Sequence, residues 1–199
     1  MAEPDAVELR ADVLSPLARE VALMNPGQAY TSLVPTGPGH GPARDKLSGV
    51  TAPQLLSSLP ASLDDARAML SGLWLLHDFL DESHTLSQKI QTPTGSFWHA
   101  IMHRREGDFS NSKYWYARCE SHPVHSAMAS RAAALVDPLP ADKALLRLCR
   151  GGWDPDALVD LVSAVYDQPD DPRHALCIRL QQAEWKLLFD HCTRAAAGR

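Results

Sequence analysis

The sequence predicts an all-α protein: a compact, irregular bundle of about seven helices preceded by an N-terminal Pro/Gly-rich arm. Three observations predict it. Apolar residues recur at helical spacing from Ser62 onward, N-cap and first-turn proline signatures punctuate that stretch, and no segment alternates as a strand does. Eight of the fifteen prolines fall in residues 1–60, which separates an arm (1–60) laid on the body from a helical domain (61–199), one domain overall.

In the arm, short helices are expected over Val7–Leu14 and Leu17–Met24. Asn25 to Pro53 carries Pro26, Gly27, Pro35, Gly37, Pro38, Gly39, Gly41, Pro42 and Gly49, and so excludes a long helix. Ser62, with Asp65 three residues on, caps a helix expected to run unbroken through Leu80 to Ser87. Pro93 and Gly95 interrupt. A helix over Ser96–Arg105 follows, ended by Gly107. Further helices are expected at Asn111–Arg118, Pro123–Ala134 and Ala141–Leu148. Asp154-Pro155 and Asp171-Pro172 open helices over Pro155–Val165 and Pro172–Ala195. There is no internal repeat.

The totals narrow the function. A hydrophobic content of 45% supports a substantial core, and a net charge of -5 speaks against a general nucleic-acid or anionic-membrane binder. No apolar run approaches the length of a membrane span, and Met1-Ala2-Glu3-Pro4-Asp5 lacks the pattern of a secretion signal. Cys119, Cys149, Cys177 and Cys192 form no Cys-x-x-Cys pair, which reads as reduced thiols in a cytoplasmic protein without a cysteine-based zinc site. There is no phosphate-binding loop and no dinucleotide fingerprint, so no cofactor is expected.

The informative stretch is His77 to Val124. It holds five of the nine histidines together with many carboxylates and cations. On one continuous helix, His77, Asp81, His84 and Gln88 share a stripe beside the apolar stripe Met69, Leu73, Leu76 and Leu80. On the next helix, His99, His103 and Glu106 form a matching line beside Phe97, Trp98, Ile101 and Met102. If the two helices, joined by a short connection, pack antiparallel, four imidazoles and two carboxylates converge on a histidine-rich groove, closed at one end by Asp108, Asn111, Lys113 and Tyr114.

Three readings of that groove follow. In the leading one, His84, His99, His103 and Glu106 act as acid, base or hydrogen-bond partners on a small polar or anionic molecule. His77, Asp81, Arg104, Arg105, Asp108, Asn111, Lys113 and Tyr114 hold it. In the second, the cluster is a buried network in a structural or interaction protein. In the third, His99, His103, Glu106 and His84 ligate a metal, which would make the protein a metal-dependent hydrolase or oxygenase. The pattern His-x3-His-x2-Glu lacks the Glu beside the first His that zinc-protease helices carry. Cys119 with His122, or Ser83 or Ser121 with a nearby His, lacks any recognisable nucleophile motif. The five tryptophans, Trp74, Trp98, Trp115, Trp153 and Trp185, offer a candidate ligand-stacking ring, but read mainly as core anchors. The pattern names no reaction, and it leaves open whether the protein is an enzyme.

The run Ser87-Gln88, then Pro93-Thr94-Gly95-Ser96-Phe97-Trp98-His99-Ala100-Ile101-Met102-His103-Arg104-Arg105-Glu106-Gly107-Asp108-Phe109-Ser110-Asn111-Ser112-Lys113-Tyr114-Trp115, and then His122-Pro123, resembles the signature of an uncharacterised bacterial protein family. That family has no established activity, so the resemblance implies no catalytic role. It implies that His99, His103, Arg104, Arg105, Glu106, Asp108, Asn111 and Lys113 work as one unit.

Overall fold

Ten α-helices and one 3-10 turn follow one another in the computed structural model, which describes residues 12–138 and 142–199. They are α1 (Pro16–Ala22), α2 (Gly41–Leu47), a 3-10 turn (Ala52–Leu55), α3 (Leu63–Leu76), α4 (Leu80–Ser87), α5 (Pro93–Glu106), α6 (Phe109–Tyr116), α7 (Val124–Val136), α8 (Lys143–Arg147), α9 (Pro155–Val165) and α10 (Pro172–Ala196). No strand occurs among the described residues beyond a single antiparallel bridge, Leu14 to Leu56. None of the described helices is long and apolar enough to cross a membrane. Most of the expected Val7–Leu14 helix lies outside the described residues.

Local chemistry sets the caps. The side chains of Ser62, Asp154 and Asp171 each accept a hydrogen bond from a backbone N–H of the first turn they precede. Gly107 takes a left-handed φ of 89° and ends α5.

Beyond α1, which was expected in the arm, the ten helices exceed the seven expected in the body for two reasons. First, the arm forms α2, because Pro42 sits in the first turn, where its missing N–H costs nothing. Second, the long helix expected from Ser62 to Ser87 is broken in two. Asp78 adopts φ 67°, Asp78 N donates to Leu75 O and Phe79 N donates to Trp74 O. This is a Schellman ending with Asp in place of Gly. Its apolar seal is the edge-to-face contact of Phe79 on Trp74, with centroids 5.4 Å apart. An aspartate tolerates the left-handed region better than most residues, and Arg105 Nη2 donates to Asp78 Oδ1 at 2.7 Å, holding it there.

Helix α5 is the axis of the molecule. Every residue from Thr94 to Arg105 is buried, so the helix is enclosed on all sides by α3, α4 and α6 and by side chains of α10. Gly72 of α3 makes the closest crossing. A Cβ there would fall 2.8 Å from the Trp98 ring, and its carbonyl accepts Trp185 Nε1–H at 2.7 Å, so α3, α5 and α10 lock at one point. The arm packs on this body. Leu14, Tyr30, Leu33, Leu47 and Leu55 belong to the same core, and Ser15 N and Ser57 N donate across the bridge to Leu55 O and Val13 O.

Two adjacent arginines lie at the centre, both fully buried. Arg104 Nη2 donates to Glu184 Oε2 of α10 at 2.5 Å, and Arg104 also donates to the Tyr116 hydroxyl. That hydroxyl donates to Glu184 Oε1 at 2.8 Å, closing a triad. Arg105 turns the other way, to Leu75 O at 2.7 Å, Ser32 O at 3.1 Å and Asp78, with its guanidinium 4.0 Å from the Tyr30 ring centroid. Both were expected in the groove as anion holders. Their charges are instead committed to the core, because a guanidinium cannot shed its proton and must find partners wherever the chain buries it.

Removing Glu184 leaves Arg104 uncompensated in the interior. Glu184→Ala should therefore lower unfolding free energy by about 3–5 kcal/mol in urea titrations. A loss below 1 kcal/mol would show that the triad is not under that constraint.

Candidate functional site

The Gln88–Thr92 connection brings α4 beside α5, and three imidazoles meet there. One ring nitrogen from each of His84, His99 and His103 lies within 4.8 Å of those of the other two. His84 sits edge-on to His99 (centroids 4.7 Å) and to His103 (5.4 Å), while His99 and His103 stack at 4.8 Å. His99 and His103 are 2% and 6% exposed, and His84 is half-buried. Trp115 of α6 lies flat on the other face of His99, 4.0 Å between centroids and 14° between planes.

Helix α6 reaches the site because Gly107 reverses the chain and Asp108 caps the new helix, its Oδ1 accepting Asn111 N–H at 3.1 Å. Ser112 Oγ donates to Ala100 O at 2.8 Å and clamps α6 to α5. Asn111 is thereby held against His103, its Nδ2 3.1 Å from His103 Nε2. On the other side of the ring, His103 Nδ1 is 2.9 Å from Glu106 Oε2. A carboxylate only accepts, so Nδ1 carries a proton. His99 Nδ1 is buried with no hydrogen-bond partner.

Burial first, and then the neighbouring imidazoles of His103 and His84, push the His99 pKa down to about 3. The ring is thus neutral at neutral pH. Neutral imidazole is the form that ligates metals or accepts protons. The set can therefore hold a cation on nitrogen lone pairs, or relay a proton from His103 to the exposed carboxylate of Glu106.

The other sequence-derived residues are distributed as follows. The helix break turns His77 away from the three imidazoles: its Nε2 lies 2.9 Å from Val21 O and its ring stacks on His40. Asp81 is exposed on the outer side of α4. Asp108 serves as the cap of α6, and Lys113 pairs with Asp160 of α9. Tyr114 is exposed against the edge of Trp115 and near Arg118. Trp115 was one of five tryptophans read mainly as core anchors; its place four residues after Asn111, on the same helix face, is the signal that singles it out as a wall of the site. The arm meets His77, Arg105 and α10, whereas the cluster's neighbours come from α4, α5 and α6.

A second group of imidazoles forms at the other end of α5, where His122 and His125 lie edge-on to Phe97 and His191 packs on His122. His122 is fully committed: Nδ1 accepts Val124 N–H at 3.2 Å and Nε2 meets Thr94 Oγ1 at 3.2 Å. It therefore has no nitrogen left for Cys119, whose thiol donates to Trp115 O and is pushed up by burial. His191 comes from α10, so no local pattern could reveal it.

No protein-family model, curated protein or solved structure matches this chain.

The second group sets the acid response. Burial, followed by His191 and His125, holds the His122 pKa at about 3, and His125 and His191 are lowered too, against nearby Glu184 and Asp65, which raise them. Below the ordinary histidine value of about 6.5 the unfolded chain binds a proton that the folded chain refuses, so stability falls as pH drops from 6.5 toward 3. His122 alone should account for a loss on the order of 2 kcal/mol between pH 7 and 4.5. His122→Asn keeps an acceptor and a donor but cannot titrate. It should flatten that part of the pH profile in urea unfolding, and an unchanged slope would assign the acid sensitivity elsewhere.

Proposed function

We propose that His84, His99 and His103 bind one divalent first-row transition-metal ion, and that the protein is a metal-dependent hydrolase acting on a small polar molecule. The observation that carries this reading is the convergence of three ring nitrogens within 4.8 Å, with Glu106 fixing the tautomer of His103. A carboxylate on the far nitrogen of a ligating histidine is the recurrent second layer of such centres, where it orients the ring and raises its basicity. Three imidazoles leave room in the coordination sphere for water, whose pKa a zinc-type ion lowers to about 7. Imidazole ligands suit zinc, copper, iron and nickel better than magnesium or calcium.

His99, neutral down to a pH of about 3, needs to release no proton to bind an ion near pH 7. A separation of up to 4.8 Å is wider than a loaded site requires, so the rings must close on the ion by rotation. The four cysteines are free, and we assign the protein to a reducing, cytoplasmic compartment on that basis.

A second reading, a metal-free packing network, draws on the burial of His99 and His103, on the His103–Glu106 hydrogen bond and on the Asn111 amide packed against the His103 ring. Metal titration of protein stripped with chelator separates the two. The metal reading expects about one zinc or cobalt ion per chain, a rise in melting temperature on loading, and loss of retention in both His99→Ala and His103→Ala. The network reading expects no stoichiometric ion, with each variant losing about 1–3 kcal/mol of stability through an unsatisfied partner. Absence of retained ion in the wild-type chain would remove the metal centre.

A further inference from the structure

We infer that the cavity between the start of α5 and the end of α6 binds a small organic monocarboxylate, whose carboxylate is taken by Arg118 and Ser96. The cavity measures about 290 Å³, and Ile90, Pro93, Ser96, Trp115, Arg118 and Glu120 are among the residues that line it. That volume lies at the lower end of small-molecule pockets, so the ligand is compact. The cavity adjoins the imidazole cluster. Ser96 stands one turn before His99 on α5, and Trp115 lines the cavity while stacking on His99 at 4.0 Å. Nothing in this site requires an ion on the imidazoles.

Three features point to such a ligand. Ser96 is only 8% exposed and lines the cavity. Its backbone N–H goes to Thr92 O, whereas no described residue hydrogen-bonds its hydroxyl. A hydroxyl so enclosed calls for a partner, and the cavity is where one can stand. Arg118, the second feature, faces rings: its guanidinium carbon lies 5.3 Å from the Trp115 centroid and 5.8 Å from that of Tyr114, and no carboxylate among the described residues pairs with it. The rings restrict the guanidinium without neutralising it, which leaves its parallel N–H donors for a planar carboxylate. Third, Ile90, Pro93 and Trp115 give the cavity an apolar wall, which suits the carbon body of an organic acid better than an inorganic anion. Glu120 on the same cavity limits the charge. One negative charge is matched by Arg118, and a second would meet the Glu120 carboxylate.

The test is titration of the chelator-stripped full-length chain with acetate, butanoate and benzoate, read by ligand-observed NMR and calorimetry. Saturable binding of at least one of the three is expected, with the matching amide and the matching dicarboxylate each about tenfold weaker or worse. Arg118→Gln should weaken that binding about tenfold or more, and Ser96→Ala about threefold to tenfold. Glu120→Gln should narrow the gap between monocarboxylate and dicarboxylate. Arg179→Gln, at another exposed arginine on α10, should leave binding unchanged. Circular dichroism melts establish that each variant is folded; if Ser96→Ala is not, Arg118→Gln, at an exposed position, decides alone. Equal losses in Arg118→Gln and Arg179→Gln would reduce the effect to general surface charge and overturn the site, as would the absence of saturable binding by all three acids. A chain that binds carboxylate but retains no metal keeps this site and loses only the imidazole centre, so the two readings fail separately.

Discussion

Two neighbouring guanidinium groups that cannot lose their charge, Arg104 and Arg105, fix the register of α5 and so govern everything built on it. Successive residues on a helix point about 100° apart, so the pair reaches in two directions. Arg104 ties α5 to α6 and α10 through Tyr116 and Glu184, while Arg105 ties it to the end of α3, the Asp78 corner and the arm at Ser32. A slip or rotation of α5 would strand both charges in the interior, at several kcal/mol each. His99 and His103 lie on the same rigid helix, and their orientation is inherited from that constraint. The buried, paired arginines thus stand beside the imidazoles on the one helix whose position they fix.

Much of this was legible locally. Ser62, Gly107, Asp154-Pro155 and Asp171-Pro172 mark helix ends through contacts within a turn, and those ends fall where expected. The shared line of His99, His103 and Glu106 follows from helical periodicity, as does the pairing of Glu106 with His103. The break at Asp78 was not legible, because neither glycine nor proline announces it. It is enforced by Phe79 against Trp74 and by an arginine 27 residues away. That unseen corner is why His77 faces the arm while His84 faces α5. The destinations of Arg104 and Arg105 were equally hidden, since Glu184 lies 80 residues downstream. Charged residues in a dense polar run look the same whether they serve a ligand or each other, and only burial distinguishes them.

The two groups of histidines show what a protein does with imidazole in different surroundings. At His122 both nitrogens are taken by Thr94 and Val124, and the ring is a fixed strut between helices. At His99 one nitrogen is buried with nothing to bond, and at His103 the Asn111 amide lies against the ring, 3.1 Å from Nε2 and 3.5 Å from Nδ1.

The stacking of Trp115 on His99 has an optical consequence. An indole lying flat at 4.0 Å shares its excited state with whatever the imidazole binds. A protonated ring or a paramagnetic ion on His99 offers a rapid path for quenching, whereas a bare neutral ring does not. The remaining four tryptophans stand apart from this stack: Trp98, Trp153 and Trp185 are buried in the core and Trp74 lies against Phe79. The protein thus carries its own unlabelled emission probe of the site, and the difference between the wild-type spectrum and that of a Trp115→Phe chain isolates the light that comes from the indole beside His99.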